Sequence, residues 1–232
     1  TKSDTTIVSE ADIEIEKIIQ ARLAHLLEHA VVIGEESFEG LLGSERRKQI
    51  LNSFDAEYIW AVDPIDGTLN FVSQYGDWGV SIGLLKKTTR GHVPYLGAVY
   101  LPIKDRLYYT NSEQSFVVLA ASTDAPVTQT LQKIVYVDDV DLKNRILAIN
   151  ESKVGKYTFQ DIKNVRIPGS TVVQFISSSV GESIGTITSG HIWDVAASLA
   201  IGKPLGVYMY DIGTSEPVEI FTSEHFIVGD PK

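Results

Sequence analysis

The chain has 232 residues, 44% apolar and 22% charged, which is enough to bury a core and excludes disorder of the chain as a whole. A formal net charge of −10 argues against a basic face for nucleic acid, and the absence of cysteine excludes disulfides and thiolate catalysis and fits a reducing, cytoplasmic setting. No signal peptide or apolar run of membrane-spanning length stands out, so a soluble protein with no membrane partner is expected.

Ala11 to His29 places Ile13, Ile15, Ile18, Ile19, Leu23 and Leu26 at broadly helical spacing. This predicts an amphipathic helix with one face on the core and Asp12 near its start. Val31-Val32-Ile33-Gly34-Glu35-Glu36-Ser37 is an apolar run ending at acids, so Glu35 or Glu36 should sit at a strand end. Phe38 to Phe54, containing Glu45-Arg46-Arg47-Lys48-Gln49, reads as a surface helix and loop.

Tyr58 to Val62 is β-branched and aromatic, short enough for a buried strand, and empties into Asp63-Pro64-Ile65-Asp66-Gly67-Thr68. The carboxyl end of a strand is where an α/β fold presents ligand-binding groups. Pro64 stops the pairing, while Gly67 and Thr68 offer backbone N–H groups at a helix start, where orphan donors and the dipole favour phosphate. Hard cations such as Mg²⁺ take oxygen ligands, and two carboxylates on one turn can face one site. Turn and N-cap duty for Asp63 and Asp66 is the alternative.

Trp78 to Leu85, Tyr95 to Tyr100 and Arg106 to Thr110 are short runs with tight links, which predicts an antiparallel meander. Gln132 to Val137 reads as a further strand and Asp139 to Asn150 as a helix; Pro168-Gly169-Ser170-Thr171 leads into the apolar Val172 to Val180. His191-Ile192-Trp193-Asp194 then sets an acid beside a large aromatic, ahead of a small-residue helix from Val195 to Ile201. Taken alone, Asp194 would be an ordinary N-cap. The five histidines show no zinc-site spacing. Without repeats or linker-like tracts, a single domain over residues 1–232 is expected, its halves meeting near residue 125.

Gly34-Glu35-Glu36-Ser37, Asp63-Pro64-Ile65-Asp66-Gly67-Thr68 and Trp193-Asp194-Val195-Ala196-Ala197 resemble, in order, the three signatures of the inositol monophosphatase family. Lys2 to Asp12 is similar to that family's mobile loop and the aspartate ending it, so the resemblance runs from Lys2 to about Gly229. It implies a layered αβαβα fold of mixed α/β class and a Mg²⁺-dependent, lithium-sensitive phosphomonoesterase, commonly a homodimer. Two or three Mg²⁺ per site are implied, with Mn²⁺ able to substitute. By the same resemblance Glu35, Asp63 and the Ile65 carbonyl hold the first ion, with Thr68 close by. Asp63, Asp66 and Asp194 hold the second, and a weaker third lies near Glu35. Asp12, Glu35 and Thr68 are implied to be catalytic, Thr68 bonding to Asp12 and positioning the attacking water with help from Glu35.

Asp66, Gly67 and Thr68 are implied to bind the phosphate of a small phosphorylated substrate. Gly169 and Ser170 align with a helix start near the substrate, for which simple capping is an equal reading. His191, a packed or substrate-wall residue rather than a ligand, is placed with Glu182 and Ser183 on the leaving-group side. The implied reaction, in-line hydrolysis, needs no histidine base, since paired cations acidify water and neutralise developing charge.

Two departures bear on this picture. Asn111-Ser112-Glu113-Gln114-Ser115-Phe116 stands where the family usually has a glycine-rich hairpin, which puts that turn in question. Ile187 occupies the position, seven before Asp194, where inositol-selective members carry an acid for ring hydroxyls, so selectivity should loosen or shift. A polyol or sugar phosphate is the leading substrate class. Adenosine 3′,5′-bisphosphate or fructose 1,6-bisphosphate is the alternative, and a regulatory binding protein of the same fold is the alternative outside the enzymes. The resemblance also implies a helix before Lys2 and another after Gly229, so the sequence is expected to lack terminal helices.

Overall fold

The computed structural model describes residues 10–39, 48–49, 52–133, 141–222 and 227–228. Among the described residues seven strands form the main sheet, ordered as in the chain: β1 (Val31–Gly34), β2 (Tyr58–Asp66), β3 (Gly79–Thr88), β4 (Gly91–Leu101), β5 (Arg106–Thr110), β6 (Ser115–Leu119) and β7 (Val127–Thr130). β1 runs parallel to β2 and each later pair is antiparallel. The expected meander is therefore present, with β3 and β4 longer than their apolar runs. β5 and β6 close without glycine: Ser112 adopts φ +78°, and the Asn111 carboxamide oxygen accepts the Glu113 and Gln114 amides at 3.1 and 2.8 Å. Asparagine can mimic a backbone turn in this way.

A second, parallel sheet has the order β10-β8-β9, from β8 (Ile146–Ile149), β9 (Asn164–Arg166) and β10 (Thr186–Ile187). β11 (Gly190–His191) pairs antiparallel with β12 (Ile227–Val228). Among the described residues the bounded helices are α1 (Glu10–Leu23), α2 (Glu35–Glu39), α3 (Thr68–Val72), α4 (Thr171–Ser179) and α5 (Ile192–Gly202), and residues 48–49 and 52–53 are also helical. Among the described residues no helix is long and apolar enough to cross a membrane.

Two expectations are corrected. The span Asp139 to Asn150 is not a helix where it is described: Asp141 caps a 3₁₀ turn at Leu142–Asn144, and Ile146–Ile149 is strand β8. A short continuous apolar run fits a buried parallel strand as well as a helix, and pairing on both sides decides it. In α1 the buried residues are Asp12, Glu16 and Leu23, whereas Ile13 and Ile18 are exposed, as is Leu26 beyond the helix end. The helix turns acids inward, toward hydrogen-bond donors described below. The expected surface helix over Phe38 to Phe54 lies largely outside the described residues, as do most of the strand from Gln132 to Val137 and the loop before Glu10.

α5 lies against β2, β3 and β4, and α4 packs beside it. The approach is close because glycines sit beneath the helix: a Cβ at Gly83 would lie 2.7 Å from the Ala197 amide nitrogen, and one at Gly97 would run into the Ala197 carbonyl. The Ser81 hydroxyl donates to the Trp193 carbonyl at 3.0 Å, and that of Ser115 to the Ile201 carbonyl at 2.7 Å, tying both ends of α5 to the sheet. Trp193 joins Ile33, Phe38, Ile59, Ala61 and Leu85 in one buried cluster. This core fixes the start of α5 beside the carboxyl ends of β1 and β2.

Candidate active site

β2 carries Asp63 and Asp66 to its carboxyl end, both buried. Pairing with β3 is interrupted between them, as Pro64 predicts, although the strand continues to Asp66. The Ile65 amide donates to Asp63 Oδ1 at 3.0 Å. Gly67, at φ +93°, turns the chain into α3 with Asp77 and Ser170 packed close by, where a side chain would be strained. Thr68 opens α3. Its hydroxyl lies 3.2 Å from Asp12 Oδ1 and 3.1 Å from the Ile65 carbonyl, and its one proton serves both acceptors.

Asp66 is held from the other side. Its Oδ2 accepts the Ser170 hydroxyl and, at 2.9 Å, the Val172 amide at the start of α4. Ser170 also caps α4, its oxygen accepting the Val173 amide at 3.3 Å. Gly169, at φ +72°, abuts Asn70, whose amide nitrogen reaches the Asp77 and Pro168 carbonyls at 2.5 and 2.7 Å. Gly169 and Ser170 therefore form a helix cap that also anchors Asp66.

At α5, Asp194 Oδ2 accepts the His191 amide at 2.6 Å, and Gly190 leaves room for that carboxylate. The His191 ring stacks on Trp193 at 4.5 Å between centroids. Glu182 lies 3.8 Å from Lys104, and the buried Ser183 hydroxyl lies 2.9 Å from that of Ser178.

Asp63, Asp66 and Asp194 each offer an oxygen within 4.8 Å of the others, the arrangement of a divalent-cation site. Glu35, first residue of α2, brings its carboxyl within hydrogen-bond reach of Asp63. Burial raises the Asp63 carboxyl well above its ordinary pKa, and the charges of Glu35, Asp66 and Asp194 raise it further. Burial likewise raises Asp66 to about 6, against the pull of the Ser170 and Val172 bonds, with Glu151 adding an upward push. Acids crowded in low dielectric raise one another's pKa, and an oxygen-seeking dication would offset that repulsion.

Three contributors are absent from the sequence reading. Glu16, one helical turn after Asp12, accepts the Glu36 and Ser37 amides behind Glu35. Its i, i+4 spacing from Asp12 is the signal that could have found it. Asn70 clamps the loops beneath Gly67 and Gly169, and Ser81 fixes the Trp193 backbone next to Asp194.

The sequence profile of the inositol monophosphatase family matches residues 1–230. The fructose-1,6-bisphosphatase/inositol-1-monophosphatase of Aquifex aeolicus is 27% identical over 206 residues, 88% of this chain and 72% of that protein. The inositol-1-monophosphatase of Bacillus subtilis is 26% identical, covering 100% of this chain and 82% of its own. A staphylococcal IMPase-II structure superposes with a TM-score of 0.65 at 25% identity, covering 91% of this chain and 73% of that one, and the enzyme has also been solved with 2′-AMP bound. The chain belongs to the inositol monophosphatase family and is a phosphoric monoester hydrolase.

Proposed function

We propose that the protein is a Mg²⁺-dependent phosphatase of small polyol or sugar phosphates, inositol monophosphate among them. The observation that carries this reading is the convergence of Asp63, Asp66 and Asp194 within 4.8 Å, with Glu35 against Asp63. In this reading Glu35, Asp63 and the Ile65 carbonyl hold one Mg²⁺, and Asp63, Asp66 and Asp194 hold another. Bound there, the ions supply acidified water and neutralise charge on the attacking and leaving oxygens. Asp12 orients the Thr68 hydroxyl, which with Glu35 aims the attacking water. The Gly67 and Thr68 amides receive phosphate oxygens at the start of α3. Ser170 keeps Asp66 facing the site. Lithium would inhibit by taking the second position.

Ile187 favours a second substrate class. It is partly buried in β10 and its side chain offers no acceptor for a sugar hydroxyl. The 2′-AMP found on the staphylococcal relative makes a nucleotide phosphate the second candidate. The test is Mg²⁺-dependent phosphate release from inositol 1-phosphate, fructose 1,6-bisphosphate, 2′-AMP and adenosine 3′,5′-bisphosphate. Preference for inositol 1-phosphate supports the first class, preference for the nucleotides the second, and preference for fructose 1,6-bisphosphate the bisphosphatase alternative. Inactivity on all four would defeat all three.

A further inference from the structure

Glu16 is a buried acid, 3% exposed, on the inward face of α1 that also carries Asp12 and Leu23. A carboxylate in such a place is costly unless its oxygens find donors. Here Oε2 accepts the Glu36 amide at 2.8 Å, and Oε1 accepts the Ser37 amide at 2.9 Å and the Gln20 side chain at 2.9 Å. The two amides open α2 directly behind Glu35. Gly34 faces the same carboxylate so closely that a Cβ there would collide with it. One turn earlier on the same helix, Asp12 takes the Thr68 hydroxyl. One face of α1 thus grips both sides of the carboxylate cluster, Asp12 at the start of α3 and Glu16 at the start of α2.

We infer that Glu16 is a positioning residue, clamping the first turn of α2 so that the Glu35 carboxyl is held beside Asp63 for metal binding. The inference rests on the reading of Glu35 as a metal ligand. Its bonds go to the backbone of the two residues after Glu35, so their loss frees the segment that aims Glu35 while leaving every proposed ligand in place. Partners that orient a ligand in this indirect way typically carry about 10-fold to 100-fold in metal affinity.

The test is direct binding of Mn²⁺, followed by electron paramagnetic resonance titration of the purified protein without substrate. Thermal unfolding in EDTA reports separately on the fold. Glu35→Gln should weaken binding and so checks the reading beneath. Glu16→Ala should weaken Mn²⁺ binding about 10-fold. Glu16→Gln keeps an acceptor for an amide and should recover part of that loss, and it decides the matter if the alanine variant does not fold. At saturating metal, KM for substrate should stay near wild type in both. Wild-type Mn²⁺ affinity in a folded Glu16 variant, even one with a lowered Tm in EDTA, would overturn the inference while Glu35→Gln still weakened binding. Wild-type affinity in Glu35→Gln would instead remove the ligand assignment, and this inference with it.

Discussion

The Asp66 carboxylate takes two hydrogen bonds from the start of α4, yet burial still raises it to about 6. Removing the Ser170 hydroxyl leaves one of those bonds, so Ser170→Ala should raise the Mg²⁺ concentration for half-maximal activity about 10-fold. A Mg²⁺ titration of phosphate release measures it. The pH dependence follows from the sign of the shift. An acid raised from 3.8 to about 6 on folding costs the metal-free protein no stability at low pH and subtracts it as pH climbs through that window. Asp63, also raised, acts in the same direction. A bound dication offsets this cost only where the acids are ionised. The rise in Tm on adding Mg²⁺ should therefore grow between about pH 5 and about pH 7, and thermal scans with and without Mg²⁺ check it. At position 187 the argument is one of a missing acceptor, so Ile187→Glu should shift relative kcat/KM toward inositol 1-phosphate by about 10-fold.

At the scale of elements, the contact between α5 and the sheet is set by Gly83 and Gly97, and packing this tight has no room for a methyl group. Gly97→Ala should cost about 3 kcal/mol in urea unfolding, because Ala197 and the α5 backbone must move. The strands around Asp63, the meander and the small-residue helix after Asp194 were legible in the sequence, since each combines a plain period with a breaker at its end. The inward face of α1 was not. Its isoleucines satisfy a helical template while Asp12 and Glu16 occupy the buried side, and a search for apolar periodicity passes over acids whose burial depends on donors far away in the chain. The span Asp139 to Asn150 misled for a different reason. Ile146–Ile149 is too short to show a period, and its partners β9 and β10 are both later in the chain.

Across the whole molecule, the candidate ligands come from the start of α2, the end of β2 and the first turn of α5, brought together by the main sheet and the helices packed on it. The motifs made these residues visible in the sequence, while their distances, the anchoring of Asp66 by Ser170 and the Glu16 clamp exist only in the fold. Mg²⁺ bound at such a junction should stabilise all of these elements together, by about 2.7 kcal/mol at a concentration 100 times its Kd. The most direct measurement of the central claim is phosphate release from inositol 1-phosphate by wild type and Asp63→Asn, each with Mg²⁺ and with EDTA. Asp63 is shared by both proposed ions, so its neutralisation should lower kcat/KM by about 1,000-fold, equivalent to roughly 4 kcal/mol of transition-state stabilisation, and EDTA should abolish wild-type release. Release that survives EDTA, or that persists undiminished in Asp63→Asn, would contradict the account.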